Sequence, residues 1–354
     1  MNLKRVVVKL GTTSLTGPDG EPDRRRIRKI TDQVTELRKQ GISCVIVSSG
    51  AIAAGMQPLG LSKRPSDMPT LQAAASVGQR RLMDLYASLL GAKGLTVGQI
   101  LLTQDDIVQR RHYLNARHTI DRLLELGCVP VVNENDTVAT QEIRYGDNDR
   151  LAALVANLVG ADLLVMLSDV EGVFSSHPGK EGATLLENVE EITPSLFSSA
   201  GRTSLLGSGG MASKLEAARM ATFSGVAVVI ASANRRGVLL DICAGRKVGT
   251  YFQPSPSKLQ ARKLWIAWAP RSRGRLVVDD GAARAITDGK KSLLAAGVNT
   301  VEGSFEAGDA VEVIRADRQV VAKGLVSFDS QFLSQIIGTR GNREVIHRDQ
   351  LVPM

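Results

Sequence analysis

Aromatic side chains are scarce in this sequence, at 4% of 354 residues. With 43% hydrophobic residues the chain still has enough apolar material for a sizeable core, and that core must be Val, Leu, Ile and Ala. Cysteine is scarcer. Cys44, Cys128 and Cys243 each sit inside an apolar segment, and no C-x-x-C spacing occurs. That pattern speaks against a disulfide framework and against a zinc site, and it fits a reducing, cytoplasmic setting. No apolar run approaches the roughly 18 residues of a membrane span. The opening run "RVVVKLG" is too short for a signal peptide and reads as a strand. No G-x-x-x-x-G-K-[ST] loop is present, which excludes a P-loop nucleotide site.

Acid is missing from one region. Residues 246–275 hold eight Lys or Arg and no Asp or Glu, which equals the whole net charge of +8. Both tryptophans, Trp265 and Trp268, fall in the same stretch. Basic residues interleaved with aromatics can bind nucleic acid. They can equally form a solvated linker whose tryptophans pack on a domain face.

The first 250 residues alternate apolar strands with amphipathic helices. Strands are predicted over 5–10, 43–50, 95–102, 128–133, 162–169 and 226–232. Helices are predicted over 23–39, 69–90, 110–126, 147–159, 210–224 and 236–243. This alternation predicts an α/β fold with a mostly parallel sheet covered on both faces. Ligands of such folds bind beyond the carboxyl ends of the strands. The polar clusters sit there: Lys9-Leu10-Gly11, Ser48-Ser49-Gly50, Asn133–Asp136 and Ser168-Asp169. After Gly249 the pattern changes. "FQPSPSK" reads as linker, and from about Arg271 short strands with Gly turns predict a small β-rich domain. The expected division is 1–252, a linker over 253–270, and 271–354.

"GSGGMA" (207–212) formally fits G-x-G-x-x-A, but it follows a Ser/Gly loop, not a strand, so a Rossmann site is rejected. A Gly-rich loop running into a helix that carries Lys214 suits an anion better. Lys9, near the end of an otherwise apolar strand, is costly to bury unless it meets an anion. Between Asn133 and Asp149 nine carboxylate or carboxamide side chains occupy seventeen positions. None of the four histidines, His112, His118, His177 and His347, lies beside these clusters. A site without an obvious base suits a nucleophile already ionised at neutral pH. Phosphoryl transfer to a carboxylate is such a reaction, and it needs mainly positioning and positive charge.

Six segments together, "VVVKLGTTSL", "VSSGAIAAG", "VVNENDTVAT", "YGDNDRLAALVA", "LLVMLSDVEGVF" and "GSGGMASKLEAA", make residues 4–252 resemble the amino acid kinase family. The likeness is strongest to its branch that phosphorylates the γ-carboxylate of glutamate for proline synthesis. "VDDGAARAI" (278–286) and "VIHRDQLV" (345–352) make the tail resemble a PUA domain. The resemblance implies a three-layer αβα sandwich followed by a small PUA barrel. It implies that Asp136 and Asn148 take the substrate α-ammonium, with Asn133 shaping the loop and Ser49 and Gly50 meeting the carboxylate end. Lys9 and Lys214 would neutralise the transferred phosphoryl group, with Asp149 holding both. ATP would rest on Lys9, Gly11, Ser168, Asp169 and the 208–214 loop (Ser208, Gly209, Gly210, Met211, Ala212, Ser213, Lys214), bringing Mg²⁺ with it. Proline inhibition and a homo-oligomer, dimer or tetramer, are further implications.

Two positions depart from the family pattern. Ser168 stands where Thr is commoner, and His177 stands where Asp often precedes the Pro. Acetylglutamate, carbamate and uridylate kinases are the alternatives within the family, but their acceptors lack the free α-ammonium that so many short acceptors suit. RNA binding through the PUA-like domain and basic linker is the non-enzyme reading. Against it, residues 276–354 are slightly acidic.

Overall fold

A computed structural model describes residues 3–17, 20–103, 106–107, 109–139, 148–176, 179, 182–199, 210–255, 272–289, 291–339, 341 and 343–353. The chain forms two compact units, 1–258 and 259–354.

The first unit is built on an eight-stranded sheet. In chain order its strands are β1 (Arg5–Leu10), β2 (Ser43–Val47), β3 (Val97–Leu102), β4 (Val129–Glu134), β5 (Leu163–Ser168), β6 (Asn188–Val189), β7 (Ala227–Ser232) and β8 (Thr250–Phe252). Their spatial order is β3-β4-β2-β1-β5-β7-β8-β6. Every pairing from β3 to β7 is parallel, and only β7–β8 is antiparallel. The carboxyl ends of the five strands from β4 to β7 therefore share one edge. β1 lies at the point where the order turns: β2 and β4 lie to one side of it, β5 and β7 to the other. Crevices at such points are where ligands settle in doubly wound sheets.

Strand alternation decides which side chains reach which layer. Val6, Val8 and Leu10 of β1 join one core cluster with Ile27, Ile30, Val34 and Leu37 of α2 (Arg24–Lys39). Asp23 caps α2 by accepting from the N–H groups of Arg25 and Arg26 at 2.8 and 3.2 Å. Tyr86, Leu89 and Leu90 of α4 (Met68–Gly91) complete this layer. Lys9 thus points to the opposite layer, where α6 (Asp149–Leu158) packs against β1 and α8 (Met211–Phe223) packs against α6.

Two glycines set how α4 meets α3 (Ala51–Met56). A Cβ on Gly55 would stand 1.8 Å from the carbonyl oxygen of Ala74, and one on Gly78 1.8 Å from that of Ala51. No side chain fits either gap, so the two helix backbones lie in direct contact. This fixes α3 against the middle of α4. Gly50, just ahead of α3, has φ of +90°, a conformation that favours glycine.

The second unit adds β9 (Gly274–Val278), β10 (Leu293–Leu294), β11 (Val298–Gly303), β12 (Ala310–Ile314), β13 (Val320–Leu325), β14 (Glu344–Ile346) and β15 (Leu351–Pro353). They form a five-stranded sheet, β11-β9-β12-β13-β15, and a two-stranded one, β10-β14. Leu276, Val278, Phe305, Val311, Val313, Leu333 and Val345 are among the residues of its apolar core. The β-rich expectation for this region agrees with the sheet.

Candidate active site

Lys9, Asp149 and Lys214 are brought together from three elements. The Lys9 ammonium Nζ lies 2.5 Å from Asp149 Oδ1, and Lys214 Nζ lies 3.2 Å from Asp149 Oδ2. The Ser213 hydroxyl also donates to Oδ2, at 3.3 Å. Exposure is 1% for Lys9, 0% for Asp149 and 6% for Lys214. Desolvating one such charge costs several kcal/mol, so the contacts must be close and directional. One carboxylate between two ammonium groups gives the trio a net charge of +1. Gly11 keeps the approach open: a Cβ there would stand 3.8 Å from Lys9 Nζ and 3.7 Å from the carbonyl of Leu167.

On the β2/β4 side an amide network replaces charge. The side-chain nitrogen of Asn148 donates to the Ser48 carbonyl and to Asn133 Oδ1, both at 2.5 Å. Asn133 Oδ1 also accepts from the Glu134 N–H at 2.9 Å. Asn133 Nδ2 donates to Gln79 Oε1 at 2.6 Å. The Ser49 hydroxyl is buried and has no hydrogen-bond partner among the described residues. Such a buried hydroxyl calls for a partner from outside the chain. Gly50 adjoins it, with Thr12 Cγ2 3.7 Å from where its Cβ would be. Asp136 lies in the turn after β4 and lines a cavity of about 350 Å³ with Gln79, Gln99, Glu134 and Asn135.

On the β5/β7 side, Ser168 ends β5 and is buried, and its hydroxyl accepts from the N–H of Val170 at 3.3 Å and donates to Asp169 Oδ1 at 3.4 Å. Asp169 is exposed. Gly210 caps α8 with extended backbone, and Met211, Ala212 and Ser213 form its first turn. Exposed N–H groups at a helix start favour anions. Ser208, Gly209 and His177 lie outside the described residues, as do residues 256–271 of the basic stretch with Trp265 and Trp268.

The sequence reading missed Gln79 and Tyr86. Both belong to an ordinary amphipathic helix, and nothing in their spacing marks them. Their polar partners come from elsewhere in the fold: Asn133 of β4 for Gln79, and Ser48, just after β2, for Tyr86. Among the described residues no cluster of three His, Cys, Asp or Glu could hold a metal ion. None of their helices is long and apolar enough to cross a membrane.

Two lysines and an aspartate buried at the switch point of a parallel sheet, beside an amide network, supply the positioning and positive charge that a phosphotransferase needs. Residues 4–232 match the Amino acid kinase family and residues 274–347 the PUA domain. This chain belongs to the amino acid kinase family and carries a PUA domain. It is 49% identical to the glutamate 5-kinase of Nocardia farcinica over 356 residues, covering 99% of this chain and 96% of that protein. It is 48% identical to the glutamate 5-kinase of Salinispora arenicola over 363 residues, at 99% and 97% coverage. In structure it resembles a carbamate kinase from Giardia lamblia bound to AMP-PNP, with a TM-score of 0.52 and 18% identity, over 72% of this chain and 99% of that one. At that identity the likeness shows the fold alone.

Proposed function

We propose that this chain is a glutamate 5-kinase. It transfers the γ-phosphoryl group of ATP to the γ-carboxylate of L-glutamate, giving L-glutamyl 5-phosphate, the first step of proline synthesis. The near full-length likeness to glutamate 5-kinases supports the substrate. The single observation that carries the chemistry is the buried Lys9–Asp149–Lys214 cluster, set between an amide-lined half and an anion-binding half.

The acceptor needs no base. A glutamate carboxylate ionises near pH 4.3, so at neutral pH it is already a nucleophile. One of its oxygens attacks the γ-phosphorus while the bond to the β–γ bridging oxygen breaks, and ADP leaves. The obstacle is the mutual repulsion of two anions. Lys9 and Lys214 offset it inside a dry site, where charge acts more strongly than in water. Asp149 holds the lysines apart and oriented.

Asn148, both of whose described amide N–H bonds go to protein oxygens, offers Oδ1 to the substrate ammonium. Asp136 adds a carboxylate, and Asn133 shapes the loop. Ser49 and Gly50 take the α-carboxylate end. Lys9, Gly11, Ser168, Asp169 and the loop into α8 hold ATP. Mg²⁺ carried on ATP would supply charge neutralisation at the phosphates. A cytoplasmic enzyme, competitive inhibition by proline and a homo-oligomer go with this reading. Proline shares the ammonium and α-carboxylate of glutamate, so raising glutamate should relieve its inhibition.

The test is ADP release with ATP and Mg²⁺ across glutamate, N-acetylglutamate, aspartate, carbamate and UMP, with hydroxylamine trapping any acyl phosphate. Glutamate alone should give hydroxamate. Turnover of another acceptor would overturn the substrate assignment. Silence across the panel would overturn the kinase reading and make RNA titration at low salt the next experiment.

A further inference from the structure

The amide network has a direction that two backbone groups impose. The Glu134 N–H can only donate, so Asn133 must turn its oxygen toward it. The Ser48 carbonyl can only accept, so Asn148 must turn its nitrogen toward it. The two asparagines then meet oxygen to nitrogen, and the remaining Asn133 nitrogen seeks an acceptor. Gln79 Oε1 is that acceptor, at 2.6 Å. Seven residues along α4, on the same helix face, Tyr86 Oη lies 3.1 Å from Ser48 Oγ. Ser48 Oγ donates onward to the Ser49 carbonyl at 3.3 Å, so the Tyr86 hydroxyl is the donor to Ser48. Burial pushes the Tyr86 phenol above its ordinary pKa, so it keeps that proton. The bonds thus run from Gln79 through Asn133, Asn148 and Ser48 back to Tyr86. α4 closes the chain at both ends.

The position of α4 is itself tightly set. Gly78, the residue before Gln79, is the one whose missing Cβ lets α4 touch the Ala51 carbonyl of α3. α3 begins directly after Gly50. Asn148, in turn, immediately precedes Asp149. One helix therefore reaches the amide network, the Ser49-Gly50 turn and, through Asn148, the start of the helix that carries the lysine-bridging carboxylate.

We infer that Gln79 and Tyr86 of α4 are positioning residues for the amino-acid end of the site. Gln79 holds Asn133 so that Asn148 presents only its amide oxygen to the substrate ammonium, and Tyr86 holds the Ser48-Ser49 backbone. This rests on the glutamate 5-kinase reading for the identity of the substrate. Neither residue touches the reacting atoms, so their loss should act on glutamate capture and spare the nucleotide.

The experiment is steady-state kinetics of the full-length chain with Gln79→Met, a near-isosteric side chain without an amide, and with Tyr86→Phe. The expected result for Gln79→Met is a glutamate KM raised about tenfold, an ATP KM within twofold of wild type and a kcat within threefold. Tyr86→Phe should raise the glutamate KM about threefold, again without moving the ATP KM. A glutamate KM unchanged in both variants overturns the inference, as does an equal rise in both KM values, which a merely structural role would produce. If Gln79→Met does not fold, Tyr86→Phe decides alone by the same criterion. Wild-type enzyme that turns over no glutamate overturns the functional reading and this inference together. Wild-type glutamate turnover with unaltered variants overturns only the inference.

Discussion

The two units differ in the polar side chains they bury whole. Among the described residues, every buried polar or charged side chain lies in the first, from Lys9 to Thr250. The buried residues of the second form an apolar cluster. The second unit combines strand pairing with an apolar core removed from water. The first carries Lys9, Asp149 and Lys214 at 6% exposure or less, an arrangement that hydrophobic residues of similar volume would often match or better for stability. Buried charge with no stabilising advantage is what the proposed phosphoryl-transfer site would require, and among the described residues the first unit alone buries whole charged side chains.

Three substitutions and one labelling experiment would break or sharpen that contrast. Asp149→Ala should have the largest effect, because it leaves two ammonium groups facing each other in a dry site. Breaking such a network costs about 3–5 kcal/mol. Thermal unfolding should show that loss, and glutamate-dependent hydroxamate should fall below detection. Phe305→Ala, in the apolar core of the second unit, should cost about 3 kcal/mol through the cavity it leaves. Yet kcat, measured below the first unfolding transition, should stay within twofold of wild type. A collapse of kcat in this variant would break the contrast.

Gly78→Ala comes next. Its new Cβ would overlap the Ala51 carbonyl, so α3 and α4 must separate, at about 1–3 kcal/mol. Calorimetry should show that loss, and the glutamate KM should rise more than the ATP KM. The smallest effect concerns the cysteines. Burial pushes the Cys44 thiol up to about 12 and the Cys243 thiol to about 11. At pH 8 the thiolate fraction of each is then about one in a thousand or less. Mass spectrometry after brief alkylation should find Cys128 modified first.

Much of the first unit was legible because its signals are local. A lysine in an apolar strand, a Gly-rich loop entering a helix, and a run of short acceptors each announce a cost that something must offset. Lys9, Lys214 and Asp149 fall together for that reason, although they are far apart in sequence. The helix that opens at Asp149 and the strand that ends at Ser168 were predicted within two residues. The edge was less legible. β6 has two residues and β8 three, too few to show a period of two. β8 pairs antiparallel with β7 at a place where the sequence already reads as approaching a linker. Gln79 and Tyr86 were invisible for a different reason. Their partners, Asn133 and Ser48, lie on other elements far away in sequence, and hydrophobic periodicity carries no mark of which polar groups a helix will meet.

The most direct test of the central claim separates binding from transfer in Lys214→Met. Titration calorimetry would give the Kd of glutamate, and hydroxamate formation at saturating ATP and glutamate would give kcat. If the lysine serves the transferred phosphoryl group, glutamate should bind within threefold of wild type while kcat falls by about 10²–10³, the usual cost of losing one oriented charge stabiliser. A kcat near wild type would contradict the account, because the buried cluster would then be a structural ion network and the phosphoryl site would lie elsewhere.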